Sequence, residues 1–482
     1  MSHVTIHCFT DSYAIDELSS LIEEHNISVI ERNDHYVKLN NNEETQLFID
    51  TYCNDDNKYV VLNKYSHSMR HHLVVNEEIA SKYNEVSGAY GNSADTVASY
   101  YQFPTSLVNK NTIAIISLGG NYLLSDCQYY WKNICGYTTY PTISNVLVDQ
   151  TSMPAFTGSS ADMENTLDIQ IAGGINPNAS IVFYSAPNTL QGFYDAIAKA
   201  VSSLPICISI SWGLNEKNLL STPSAMKAFN DLFSVAASKK IAVTVASGDN
   251  GSADGIFDGS VHVDFPSSCP FATSCGGTTI SGSNETVWSC TPAAPNGTGG
   301  GVSAYFTKPS YQNNIVRYPT TYSPPISYLK KNRCVPDVAL LGNPNGGWTI
   351  YFNNRLYTNS IGGTSCAAPC MAGLISLMGL KYGVSLNTSL YSVYGNATKR
   401  AQSFKDIVSG SNNNINGTVN EFNAGAGYDM CSGLGSLYGT GLYNNLKVME
   451  TCEDIEEKQI EKPETEKTSY MHYFNPYYWI GK

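Results

Sequence analysis

Positive charge is scarce in this 482-residue sequence: 28 Lys and Arg stand against 41 Asp and Glu, a net charge of -13, and charged residues make up only 14% of the chain. Holding a phosphate backbone needs clustered cations, so a nucleic-acid partner is excluded on charge. Long apolar runs are missing too. No stretch approaches the ~20 residues of a membrane span, and the opening Met1-Ser2-His3-Val4-Thr5-Ile6-His7-Cys8 has neither the basic segment nor the apolar run of a secretory signal. The 13 cysteines include no closely spaced CxxC pair, which argues against a structural zinc site. Cys127 with Cys135, or Cys269 with Cys275, could bridge in an oxidising compartment, and buried free thiols are the alternative. What remains is a globular composition, 42% hydrophobic, whose surface is polar without being charged. An acidic balance suits work at low pH, where protonation relieves self-repulsion.

Residues 3–9 alternate like a strand, 14–25 carry apolar residues at helical spacing, 27–39 read as a strand pair turning at Asn33-Asp34, and a second helix covers 43–53. This order predicts a small α+β module over residues 1–75, followed by a polar linker over 76–98. From Thr112 short apolar runs (Ile113–Leu118, Ser180–Ser185, Cys207–Ser211, Ile241–Ala246) alternate with helical patterns near 160–172, 190–203 and 223–239. That texture predicts an α/β domain over 99–448, with a mostly parallel sheet covered on both faces and functional side chains at the strand ends. Residues 453–467 hold seven acidic residues and three lysines, a solvated stretch ahead of an aromatic end, so 449–482 is read as a tail.

The strongest chemical signal is Gly362-Gly363-Thr364-Ser365-Cys366-Ala367-Ala368-Pro369 ahead of an apolar helical run. A serine among glycines at a helix start has room for a substrate carbonyl, and backbone N–H groups point at developing negative charge; an ordinary N-cap gives the same local pattern. A serine nucleophile needs a base, and the histidines are badly placed for one. His3, His7, His25, His35, His67, His71 and His72 precede the α/β region, His472 is in the tail, and only His262 lies within it, far from any early strand-to-helix turn. A Ser-His-Asp triad is therefore excluded. A thiol mechanism through Cys366 fails for the same want of a histidine.

The region offers carboxylates instead. Glu164 and Asp168 lie four apart on a helix capped by Ser159 or Ser160 and ended by Gly173-Gly174, so they share one face and can share a proton. An exposed acidic pair would look the same. Asp249, in Ser247-Gly248-Asp249, directly follows an apolar strand, the place for a catalytic group or for an Asx-turn. Farther on, Asp406 and Asp429, the latter behind a Gly-rich turn, offer hard oxygen ligands suited to calcium.

From about Ser99 to Leu442 these residues resemble the sedolisin family, the serine-carboxyl peptidases. The matching strings include Asn111–Gly120, Glu164-x-x-x-Asp168, Ser209-Ile-Ser-Trp-Gly, Ser247-Gly-Asp, Cys275-Gly-Gly-Thr, Gly299-Gly-Gly-Val-Ser, Pro336-Asp-Val, Gly363-Thr-Ser and Gly433-Leu-Gly-Ser. The resemblance implies a subtilisin-like, doubly wound α/β fold and an acid-active peptidase acting on protein or peptide substrates. It makes Ser365 the nucleophile, Glu164 the general base, Asp168 the group orienting Glu164, and Asp249 the oxyanion-hole side chain. It also implies one structural calcium ion, held by Asp406 and Asp429 and by the carbonyls of Ile407, Gly425 and Gly427. The N-terminal module then resembles a short, ferredoxin-like propeptide, either removed by self-cleavage near 75–98 or kept. The chain is expected to act as a monomeric endopeptidase in an acidic compartment or medium. A tripeptidyl-peptidase of the same family is the alternative, as is a silent binding protein that retained the fold.

Overall fold

A computed structural model describes residues 3–9, 14–56, 58–82, 91–256, 258–290, 296–316, 331–382, 385–412 and 422–448; the tail over 449–482 lies outside the described residues. The N-terminal module consists of β1 (His3–Cys8), α1 (Ala14–Glu24), β2 (Val29–Arg32), β3 (Tyr36–Asn40), α2 (Glu43–Tyr52) and β4 (Tyr59–Val61). Its antiparallel sheet has the order β2-β3-β1-β4. Side chains on β1 alternate between two environments. Val4, Ile6 and Cys8 enter the module's own core with Leu18, Ile22, Leu39 and Phe48, while His3, Thr5 and His7 face the large domain.

There the Thr5 hydroxyl donates to Asp195 at 2.9 Å and His7 Nδ1 meets the Tyr194 hydroxyl at 2.5 Å. His3 Nε2 lies 3.1 Å from Asp149. His3, Asp149 and Asp195 have metal-ligand types at close range, but the Lys38 ammonium already bridges both carboxylates, so the group is an ion-paired docking surface.

The chain then crosses the large domain as β5 (Arg70–His71) and β6 (Val74–Val75). The main sheet is built from β7 (Thr112–Ser117), β8 (Thr142–Leu147), β9 (Ser180–Ser185), β10 (Cys207–Ile210), β12 (Ala242–Ala246), β14 (Thr273–Ser281) and β15 (Asn284–Val287). It runs β15-β14-β12-β10-β7-β9-β8, with Val338–Leu341 as an eighth strand on β14. Every pairing in it is parallel except β14 with β15. Ile113 and Ile115 pack into one buried layer and Ala114 and Ile116 into the other, as expected of strands covered on both faces. Two short strands border the sheet ends: β11 (Trp212–Asn215), and β13 (Asp264–Phe265), which pairs with it antiparallel.

One sequence expectation is corrected, and one open alternative is resolved. Gly173-Gly174 does not end its helix, which continues to Ile175. A Cβ on Gly173 would sit 2.5 Å from the Trp131 ring, and one on Gly174 2.5 Å from the Ala94 methyl; the pair is there for close packing. The twelve described cysteines are all free, and most are buried, so Cys127, Cys135, Cys269 and Cys275 serve as small apolar groups. The expected 76–98 linker carries helices at Glu77–Lys82 and Ala94–Tyr100, and residues 83–90 lie outside the described residues.

Candidate active site

Ser365 is the second residue of the helix Thr364–Met378, reached from the strand Arg355–Gly362 through Gly363. Gly363 has φ 104°, and a Cβ there would collide with the carbonyl oxygen of His72, so glycine alone fits the turn. N–H groups in a helix's first turn have no partner within the helix. Here that of Thr364 donates to Asp249 Oδ1 at 2.7 Å, and that of Ser365 donates to the His72 carbonyl at 3.1 Å.

Glu164 and Asp168 lie on the helix Ser160–Ile175, whose start is fixed by a capping box between Ser159 and Asp162. This helix packs on the Ser365 helix closely enough that a Cβ on Gly373 would meet Ile175. Both carboxyls are fully buried. The hydroxyl of Ser211, a residue at the end of β10, donates to Asp168 Oδ1 at 2.7 Å and stands 3.4 Å from the Ser365 carbonyl. Burial, reinforced by the charge of Asp168, raises the Glu164 pKa well above the usual carboxylate range, and the Ser365 hydroxyl pulls it back. Asp168 is raised by burial against the Ser211 hydrogen bond. The two titrate as a pair. Neither Glu164 oxygen completes a hydrogen bond; the Ser365 hydroxyl instead accepts the His72 N–H at 3.1 Å and stands 3.5 Å from the Ser211 carbonyl.

Asp249 follows β12. Its Oδ1 accepts both the N–H and the hydroxyl of Thr364, at 2.7 and 2.8 Å, whereas Oδ2 has no partner. Oδ2 points to the space beside Gly363, where the His72 carbonyl oxygen also lies. Burial lifts the Asp249 pKa to about 6, opposed by His72 and the Thr364 hydrogen bonds. A carboxyl held this way is a donor below that pH and only an acceptor above it.

The four residues singled out in the sequence are thus brought together, and the structure adds a fifth part that the sequence reading missed. Residues 70–76 lie across the site as an extended strand. Arg70 and His71 pair antiparallel with Gly213 and Trp212, and Val74 and Val75 with Gly362 and Ile361. His72 N–H donates to the Ser211 carbonyl, and Asn76 N–H to the Ser360 carbonyl. The His72–Leu73 peptide bond is therefore carried past Ser365. Upstream, the Asn188 side chain clamps both the N–H and the carbonyl of Met69. His71 turns its Nδ1 to within 3.7 Å of Glu164 Oε2 and its Nε2 to 3.0 Å from the Ser160 hydroxyl. The rings of His71 and His72 have pKa values lowered to about 4, chiefly by burial. The histidine count held for the large domain but did not foresee these two, because nothing local in residues 65–75 names the cleft they cross. The one available signal was the adjacency of a histidine pair to the end of a small N-terminal module.

Cys366 is fully buried and its thiol is pushed up by burial and the nearby carboxyls, which agrees with its exclusion as a nucleophile. At the expected cation site, Gly427 N–H donates to Asp406 Oδ2 at 2.9 Å and Gly425 N–H to Asp429 Oδ2 at 3.1 Å. Both carboxylates thus meet one Gly-rich loop, and the buried Ile407 comes directly after Asp406 on the other chain segment. Burial lifts Asp429 to about 6 against four hydrogen bonds from Cys431, Ser432 and Gly425.

Comparison with known proteins gives a consistent picture. The model of the subtilase family matches residues 155–402. Kumamolisin of Bacillus sp. (strain MN-32) is 38% identical over 363 residues, covering 73% of this chain and 62% of its own. Sedolisin of Pseudomonas sp. (strain 101) is 29% identical over 402 residues, covering 76% of this chain and 63% of its own. This chain therefore spans less than two thirds of the length of these curated relatives. Among solved structures, Pseudomonas sedolisin, a serine-carboxyl proteinase complexed with pseudo-iodotyrostatin, superposes with a TM-score of 0.63 at 26% identity, over 75% of this chain and 99% of that one.

Proposed function

The chain belongs to the sedolisin branch of the subtilase family, and from that premise we propose that it is an acid-active serine-carboxyl peptidase that cuts within peptide chains through Ser365, Glu164, Asp168 and Asp249. The observation that carries this reading is the passage of residues 70–76 through the site in the manner of a substrate, with the His72 carbonyl on the Ser365 N–H. In the reaction, Ser365 Oγ attacks the substrate carbonyl carbon and Glu164 takes its proton. Asp168, itself held by the Ser211 hydroxyl, has the role of orienting Glu164. The oxyanion forms between the Ser365 N–H and the protonated Oδ2 of Asp249, donors aimed at charge that develops only in the transition state. Collapse of the intermediate returns the proton to the leaving amine and leaves an acyl-serine, which water hydrolyses by the same steps. The Glu164–Asp168 pair can share one proton, which leaves one ionised carboxylate to act as base in acid, where an imidazole would be protonated.

Endopeptidase action is favoured over tripeptide release by the grip on Met69, four residues upstream of the bond carried past Ser365. A tripeptidyl enzyme needs the groove closed after three. At the second site, the all-oxygen donor set and the loop that wraps Asp406 and Asp429 fit one calcium ion, with the carbonyls of Ile407, Gly425 and Gly427 completing its shell. The ion would tie the loop to the segment that follows the short strand Phe404–Lys405.

Digestion of denatured globin by the full chain, at pH 4 and pH 7, tests the proposal. Digestion confined to acid and abolished by Ser365→Ala supports it; no digestion after acid treatment favours a silent protein that kept the fold.

A further inference from the structure

The helix that carries Glu164 and Asp168 buries one further polar side chain, which has no role in the proton transfers. Gln170 lies two residues past Asp168, on another face of the helix, and is 0% exposed. A buried amide needs partners. It finds them on the hairpin made by the strands Trp348–Phe352 and Arg355–Gly362. Gln170 Nε2 donates to the Tyr351 carbonyl at 2.6 Å, and its Oε1 accepts the Tyr351 N–H at 3.0 Å.

The hairpin offers those two groups for a local reason. Asn353 and Asn354 both have positive φ and make a two-residue turn between the paired Phe352 and Arg355. In an antiparallel pair inward and outward positions alternate, so the N–H and carbonyl of Tyr351 point away from the partner strand. Trp348–Phe352 stands at the edge of its sheet, and a side chain has to satisfy both groups. Gln170 does so as a neighbouring strand would. Asp126 acts in the same way at the tip, accepting the Asn353 N–H at 2.6 Å.

The other strand of the hairpin faces the cleft. Gly362 and Ile361 pair with Val74 and Val75, the second and third residues after the bond carried past Ser365, and the Ser360 carbonyl accepts the Asn76 N–H. Gln170 therefore ties the helix of the base to the strand that holds the leaving half of a peptide. The spacing of Glu164 from Ser365 has a separate origin, direct contact of their helices: a Cβ on Gly373 would lie 2.6 Å from Ile175 and 2.9 Å from the Ala172 carbonyl oxygen.

We infer that Gln170 is a positioning residue for the leaving half of the substrate, holding the strand Arg355–Gly362 where Glu164 can return its proton to the departing amine. This rests on the peptidase reading and adds to it a residue outside the catalytic four. A misplacement of ~1 Å typically costs ~10²-fold, and only a substrate with residues along that strand feels this one.

Two substrates separate this role from a plain loss of stability. At pH 4, Gln170→Leu should lower kcat/KM by ~10–100-fold on a peptide that spans the cleft, and should leave a peptide p-nitroanilide, which ends at the cut bond, nearly unaffected. Gln170→Glu is expected to restore the spanning peptide at that pH. Burial keeps its acid neutral, and the O–H and carbonyl of that acid replace the donor and acceptor of the amide. Equal losses on both substrates, or a Gln170→Glu variant as poor as Gln170→Leu, overturn the inference and leave the peptidase reading intact. A wild type that cuts neither substrate counts against the peptidase reading, and a measurement without turnover then decides. In the full chain carrying Ser365→Ala, exchange of the Asn76 amide should quicken with Gln170→Leu while the strand Thr112–Ser117 stays protected. Unchanged protection at Asn76 overturns the inference.

Discussion

At the scale of single residues, Asp249 makes the sharpest statement. Thr364 fixes its Oδ1 with two donors, so an asparagine can keep the carbonyl oxygen there and put its NH₂ where Oδ2 now lies. Asp249→Asn is therefore expected to retain most of kcat, whereas Asp249→Ala should lose ~10²–10³. The pH profiles separate the two roles further. With a pKa of about 6, the acid form of Asp249 donates below that pH and is lost as pH rises through it, so wild-type activity should fall above pH 6 and the Asn variant should lack that limb. Glu164 gives a stability prediction of definite sign. Its folded pKa lies above its unfolded one, so its contribution is present in acid and lost as pH rises into and beyond the raised value. Glu164→Gln removes the ionisation, and its Tm relative to wild type should rise between pH 4 and pH 8, measured by calorimetry on the full chain.

Elements decide how far these side chains can act together. The Glu164 and Ser365 helices approach closely because small residues line their contacts, and the Gly173-Gly174 pair lets the Glu164 helix settle against Trp131 and Ala94. Gly173→Ala is expected to destabilise by about 1–3 kcal/mol, since its Cβ meets a ring in a packed core; chemical denaturation would measure it. The opposite helix-propensity expectation, a gain from removing glycine, applies only where space is open. The loop around Asp406 and Asp429 offers another prediction. If calcium ties it down, a chelator should lower Tm in wild type, and Asp429→Ala should abolish both that shift and its reversal by added calcium. A Tm indifferent to chelator would remove calcium from the account.

For the molecule as a whole, the N-terminal module and the large domain meet through titratable groups. His7 is fully buried between Tyr194 and Asp231, and burial lowers its pKa. Asp195 moves the other way, raised to about 6 by burial. A base whose docked pKa is depressed supports docking above its free pKa and withdraws that support as pH falls. His35, His71 and His72 are lowered in the same sense, outnumbering Asp195 and His3, the latter raised to about 9 by Asp149 and Asp195 against the effect of burial. Limited proteolysis of the Ser365→Ala chain should therefore find the module loosening as pH drops below 6.5, and less steeply with His7→Gln. Mass spectrometry of the acid-treated wild type would show whether the module is then shed.

Much of this was legible in the residues. Four strands of the main sheet, β7, β9, β10 and β12, fall within a residue or two of the apolar runs, because the period is written locally, while β8, β14, β15 and Val338–Leu341 match none of those runs; Ser365, Glu164, Asp168 and Asp249 stand on the elements their motifs suggested. The glycine pair read as a helix end illustrates the limit: glycine marks both a stop and a close contact, and only the neighbour in space, here Trp131, tells which. The same holds for the cleft. Sequence alone determined which groups could do acid chemistry and on which elements they stand. Tertiary structure alone decided that residues 70–76 cross those groups, and that Gln170 meets the Tyr351 backbone, since contacts between segments nearly two hundred residues apart are fixed by packing and leave no periodic trace in either segment.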